Sequence, residues 1–130
     1  MSERRFTADH SWAELANGVV TVGLTGYIEE QLGSIVHVEF YGEGEPARMP
    51  QVRQAEAIGS VESEMASRDI FAPVGGEIIE VNTRLSEEPE LINEAPEAEG
   101  WFCTIRLGDR AEFHALMSEA DYRKFCAESP

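Results

Sequence analysis

The stretch AIGSVESEMASRDIFAPVGGEIIEVN, Ala57 to Asn82, constrains this chain more than any other. It reads as a strand, a short polar tip at Ser63 to Ser67, a second strand through Phe71, a tight turn at Pro73 to Gly76 and a third strand to Val81. Two strands separated by so short a tip have room only to pair antiparallel, and the residue at the summit is then held in solvent on a two-stranded support. Here that residue is Met65. The segments Ile58 to Val61 and Ile78 to Val81 form a faint internal echo, two short β-branched strands flanking the tip and the Gly75-Gly76 turn.

The rest of the chain punctuates itself in the same way. Phe6 to Trp12 reads as a first strand or an extended arm, and Asn17-Gly18 is a hairpin signal between Trp12 to Leu15 and the β-branched run Val19 to Leu24. Thr25 is placed to cap a short helix, Gly26 to Leu32, with Glu29 and Glu30 near its positive end and Gly33 to stop it. Ile35 to Tyr41 alternates, which predicts Val36, Val38 and Phe40 on one face and Ile35, His37 and Glu39 on the other. Gly42 to Pro50 reads as loop, and Ser86 to Gly100, with six glutamates and two prolines, as a solvated acidic loop. Gly100 to Leu107 puts Trp101, Cys103, Ile105 and Leu107 on one face. Helical spacing then returns: Phe113 with Leu116 and Met117, a capping box from Ser118 to Asp121, and an apolar stripe of Tyr122, Phe125 and Cys126. Many short strands with two small helical pieces predict a mainly β chain, and 130 residues predict one domain over 1–130.

Charge narrows the partners. With 25 acidic against 10 basic residues the formal net charge is −15, and phosphate backbones and anionic lipid surfaces repel such a body. Nucleic acid and membrane are therefore not expected partners. MSERRFTADHSW lacks the apolar run of a secretory signal, no stretch approaches transmembrane length, and a cytoplasmic protein is expected. Cys103 and Cys126 fall at core-facing positions and read as small hydrophobes. No metal is expected: His10, His37 and His114 are dispersed and lack ligand spacing, and Met49 with Met65 forms no cluster. Neither a Ser-His-Asp arrangement nor a phosphate loop is visible, so an independent enzyme has no constellation behind it.

VES with its tip, followed by DIFAPVGGEIIEVN, closely resembles the attachment region of biotinyl/lipoyl domains, specifically the H protein of the glycine cleavage system. HSW, VTVGLTGYIEEQLGSIVHVEF, LSEEPELINEAPEAEGWFCTIRL and the terminal YRKFC stand in that family's order and spacing, from about Phe6 to Ala127. The resemblance implies a flattened β-barrel, or barrel-sandwich hybrid of the lipoyl-domain type, with a short helix after the second strand and a C-terminal helix. It also implies a carrier rather than a catalyst. In the family a lipoyl group on the tip lysine shuttles between the decarboxylase, the aminomethyltransferase and the dihydrolipoyl dehydrogenase, a tether giving high effective concentration at each.

This chain departs from the pattern at the decisive position. The family tip reads V-E-S-V-K-A; here Val61-Glu62-Ser63-Glu64-Met65-Ala66 puts Met65 where the lipoylated lysine stands. Amide formation needs a primary amine, and a thioether yields no stable acyl product. The chain's one lysine, Lys124, lies in the C-terminal helix, so no lipoate is expected and no cofactor is assigned. Glu64, Ser67 and Arg68 also differ from the family, while Glu62 and Asp69 match the frame around its tip. In the groove that shelters a loaded arm, the family's carboxylate before tryptophan is Ser11, its frequent helix histidine is Tyr27, and Asp9 and Asp69 remain as lining candidates. Two readings follow. One is a non-lipoylated H-protein-like binding module docking on enzymes of glycine cleavage or lipoate metabolism; the other is a genuine aminomethyl carrier whose lysine has been replaced.

Overall fold

The computed structural model describes residues 3–41 and 51–128. The predicted loop Gly42 to Pro50, with Met49, lies outside the described residues. The elements run β1 (Glu3–Phe6), β2 (Ser11–Ala16), β3 (Val19–Leu24), α1 (Tyr27–Leu32), β4 (Ile35–Phe40), β5 (Gln51–Val52), β6 (Ala57–Ser63), β7 (Ser67–Phe71), β8 (Gly76–Val81), α2 (Arg84–Glu87), α3 (Glu90–Glu94), β9 (Cys103–Leu107), α4 (Arg110–His114) and α5 (Glu119–Glu128).

The strands form two antiparallel sheets, one in the order β1-β2-β3-β9-β8-β5 and one in the order β4-β6-β7. This is the mainly β, barrel-sandwich arrangement that the resemblance implies, with the two sheets joined by side-chain packing. The echo segments separate: Ile58 to Val61 lies in the three-stranded sheet and Ile78 to Val81 in the six-stranded one. Val20, Val22 and Ile105 from one sheet meet Val38, Val61 and Ile70 from the other, all buried in one cluster. Phe102 closes this core. Its ring lies 4.5 Å from that of Phe40, and it covers Gly59 so closely that a Cβ there would stand 2.3 Å from the ring and 2.5 Å from the Glu39 carbonyl.

Five local expectations change, each for a visible reason. Trp101 leaves the face of Cys103 and Ile105, because β9 begins only at Cys103; it packs against the smaller cluster of Phe6, Trp12 and Tyr122 while those two are buried in the main core. Phe6 to Trp12 is no continuous strand, because Thr7 Oγ1 accepts hydrogen bonds from the amides of Asp9 and Ser11 and His10 takes a positive φ of 65°, folding a turn between β1 and β2. In β4 a bulge between Ile35 and His37 breaks the alternation, so Ile35 joins Val38 and Phe40 in the core and Val36 is left half exposed. The acidic segment is not all loop. Leu85, Leu91 and Ile92 are buried, which draws α2 and α3 onto the body, and the Asn93 amide accepts from Ile35 N at 2.8 Å and donates to Ile35 O at 3.0 Å. Finally, the Thr25 hydroxyl, expected to cap α1, stands 2.7 Å from the Tyr122 phenol, while its carbonyl accepts from the Ile28 amide.

A second, smaller core fastens the C-terminal end. Phe6 and Tyr122 stack at 4.7 Å with Trp12 beside them, and Phe6 and Met117 exchange backbone hydrogen bonds at 2.8 and 2.9 Å. Asp109 accepts from the Ala111 amide at the start of α4, and Ser118 Oγ from the Asp121 amide at that of α5. Cys103 is fully buried, its thiol pushed up to about 12 by burial, whereas Cys126 is only half buried. His10 is the polar pin of this region. Its Nδ1 lies 2.7 Å from the Tyr122 oxygen, and burial, then the nearby Arg68 charge, hold its pKa below the ordinary 6.5, with Asp9 opposing.

Two outcomes follow. Gly59→Ala must displace Phe102 or the Glu39 backbone and costs about 1–3 kcal/mol in urea unfolding. The folded state keeps His10 neutral while the unfolded chain protonates it near 6.5, so its contribution is complete above that pH and is lost as pH falls through the folded pKa. Thermal melts between pH 7.5 and 5 should therefore show a steeper fall in stability for the parent than for His10→Asn, asparagine being tolerant of the positive φ.

Candidate functional site

The tip hairpin is built from β6 and β7, which pair from Ala57 with Phe71 out to Glu62 with Ser67. Its summit is closed by Ser63. The Ser63 amide donates to the Ala66 carbonyl at 2.8 Å, and the Ser63 hydroxyl oxygen accepts from the amides of Met65 and Ala66 at 3.2 and 3.1 Å. Serine is suited to this place because a short side-chain acceptor can satisfy amides that a tight turn leaves without strand partners. Ser63 is 5% exposed and Met65 is 87% exposed, so the turn is anchored from beneath and its summit side chain stands in solvent.

Of the two frame carboxylates, Glu62 stands in the last cross-strand pair below the summit and Asp69 two pairs further down the hairpin. Glu62 is exposed and pairs across the sheet with His37 on one side and Ser67 on the other. Asp69 accepts a hydrogen bond from the Tyr41 hydroxyl at 2.8 Å, which raises the phenol pKa and ties β7 to the end of β4. Glu64 is exposed beside Met65.

Asp9, Ser11 and Tyr27 gather around His10, whereas Asp69 is engaged by Tyr41. The His10 ring packs against Tyr27 at 4.3 Å between centroids, Asp9 is exposed, and Ser11 is 1% exposed with its hydroxyl lacking a hydrogen-bond partner among the described residues. Ser11 thus sits under the surface, where strand pairing with Leu24 holds it. Sequence reasoning underrated two residues here. Arg68 Nη1 donates to Gln31 Oε1 at 2.6 Å, clamping the hairpin to α1, and its charge reaches His10. Arg68 had a signal, a long cation where the family favours a small residue; His10 had none, since its role depends on Tyr122, 112 residues away.

A lipoyl arm needs an amine at the summit, and the residue there offers a sulfur atom. Lys124 is exposed on α5, whose apolar side packs on the β1–β2 region. The described hairpin residues therefore do not fit an amide-linked lipoyl group.

Comparison with known proteins agrees with this architecture along nearly the whole chain. The family model for the glycine cleavage H-protein matches residues 4–129. The chain is 39% identical over 128 residues to the glycine cleavage system H protein of Thermotoga maritima, covering 98% of this chain and 99% of that protein. It is 45% identical over 125 residues to the H protein of Phenylobacterium zucineum, covering 96% and 99%. A crystal structure of a glycine cleavage system H protein from Mycobacterium marinum superposes with a TM-score of 0.80 at 30% identity, covering 96% of this chain and 97% of that one. Proteins of this family carry lipoate for the enzymes of glycine cleavage and have no catalytic activity of their own. With its tip hairpin and two-sheet fold intact and its family matched from end to end, this chain belongs to the glycine cleavage H-protein family.

Proposed function

We propose that this chain is a non-lipoylated member of the family: a single-domain binding module that presents the H-protein surface to enzymes of glycine cleavage or lipoate-linked metabolism without carrying a substrate. One observation carries the reading. A tip closed by Ser63, with Glu62 in the pair beneath it, displays Met65, 87% exposed, where an amine is needed. Retaining the display while losing the reactive group suits recognition better than transfer. Met65 supplies a flexible apolar side chain able to enter a tunnel made for an acyl arm. No lipoate or other cofactor is attached. In this reading the module works in the cytoplasm, a reducing compartment that suits its two free cysteines.

The groove chemistry supports the same reading. A loaded carrier must shelter an aminomethyl amine, which is cationic when protonated. Here the Arg68 guanidinium lies beside α1, and Ser11 replaces the family's carboxylate. A like charge at this point disfavours the amine.

The second reading, a genuine aminomethyl carrier with its lysine replaced, draws on the freedom of the Met65 side chain, since a lysine fits there without displacing a neighbour. Met65→Lys separates the two. Its folding stability should stay within about 0.5 kcal/mol of the parent. Treated with lipoate ligase, it should gain the mass of a lipoyl group by intact-mass spectrometry, yet fail to be loaded with an aminomethyl group by the glycine decarboxylase. Efficient loading after this single change would replace the binding-module reading with the carrier reading.

A further inference from the structure

The outer face of the six-stranded sheet holds a recess of about 360 Å³ to which the tip hairpin and α1 contribute nothing. Its floor is a single cross-strand row: Glu14 pairs with Thr21, Thr21 with Thr104, and Thr104 with Glu80, spanning β2, β3, β9 and β8. Trp12 and Trp101 wall it, and the loop carrying Glu97 closes one side. Three carboxylates and one guanidinium, that of Arg4, thus line it.

The placement of Arg4 reveals what the recess accepts. Its guanidinium carbon lies 4.3 Å above the Trp12 ring, and its nitrogens donate to Glu14 at 2.8 Å and to Glu97 at 3.0 Å. Trp12 can lie flat there because Gly23 beneath it has no side chain; a Cβ would meet the indole at 2.5 Å. The indole nitrogen donates to the Pro96 carbonyl at 2.9 Å, which fixes the ring. Half of the recess therefore forms a planar, preorganised cation seat that the chain fills itself. The other half repeats the chemistry without a cation. Trp101 is half buried, and Glu80 and the hydroxyls of Thr21 and Thr104 have no ion pair or side-chain hydrogen bond among the described residues.

We propose that this second half is an anchor site for an arginine side chain of a basic protein partner, on a sheet distinct from the one that bears the tip. The guanidinium lies against Trp101 and pairs with Glu80, alongside the Arg4 guanidinium already on Trp12. Charge complementarity selects the occupant: a chain of net charge −15 attracts basic surfaces, and the recess adds the Trp101 ring and an unpaired carboxylate. An open, solvent-facing recess of this size suits one side chain presented by a folded surface. Together with the tip, it gives the module two separate contact faces, and the inference holds whether or not position 65 carries an arm.

The two tryptophans of the chain both line the recess, so intrinsic fluorescence reads it directly. The protein is titrated at constant ionic strength with a blocked tetrapeptide containing one arginine, with the same peptide bearing isosteric, uncharged citrulline, and with ethylguanidinium, a single-charge mimic of the side-chain head. The expected result is a saturable change with the arginine peptide at about millimolar concentration, roughly tenfold weaker binding for Glu80→Gln, and no saturation with citrulline. Glu80 is exposed, so this variant keeps its fold, which circular dichroism verifies. Met65→Lys should bind the peptide as the parent does. Equal responses to arginine and citrulline, or unchanged binding by Glu80→Gln, would overturn the proposal. Ethylguanidinium binding more tightly than the peptide would also overturn it, by marking a small-molecule guanidinium site in place of a protein anchor.

Discussion

The packing of Phe102 over Gly59 is the contact on which the two-sheet architecture depends. The sheets share no strand, so the core between them must hold by side-chain interlock, and Phe102 reaches from the edge of β9 to the backbone of β6 and the ring of Phe40. Burying an aromatic ring of this size contributes about 2–3 kcal/mol, a large share of the margin by which a domain of this length is stable. Only glycine at 59 permits so close an approach. Because β6 also forms one leg of the tip hairpin, the same contact that joins the sheets steadies the display of residue 65.

Much of this was legible in the residues. Asn17-Gly18, the β-branched runs and the Ser63 to Ser67 tip marked the hairpins because turn chemistry and strand alternation are local properties. Readings failed where a distant partner decided the outcome. The β4 bulge turned Ile35 inward and Val36 outward, with Asn93 bonded to both backbone groups of Ile35 across 58 residues of sequence. Thr25 looked like a helix cap until Tyr122 claimed its hydroxyl. The acidic segment hid Leu91 and Ile92 among its glutamates, and two apolar neighbours suffice to fold a short helix onto a body that can bury them. The candidate site divided in the same way. Met65 was legible from the hairpin, and Glu62 and Asp69 only from the resemblance to the family's tip, whereas Ser11 proved buried and the roles of His10 and Arg68 required contacts from other elements.

The chemistry of the tip rests on separating display from reactivity. Display belongs to the fold: a serine-closed turn on a twisted hairpin, held to α1 by Arg68 and to β4 by the Tyr41 to Asp69 hydrogen bond. Reactivity belongs to one atom, the lysine nitrogen that position 65 lacks. Changing that atom leaves the display intact, so a fold evolved for carrying can serve recognition without structural cost. Arg68 and Glu64 alter the charge immediately around the summit, which changes what can approach it without changing how it is held.

The central claim, that this family member works without an arm, is tested most directly by the intact mass of the protein purified from the cells that make it. The account predicts the mass of the unmodified chain, with no species heavier by a lipoyl group at Lys124 or elsewhere. A stoichiometric lipoyl adduct would contradict it and return the chain to the carriers.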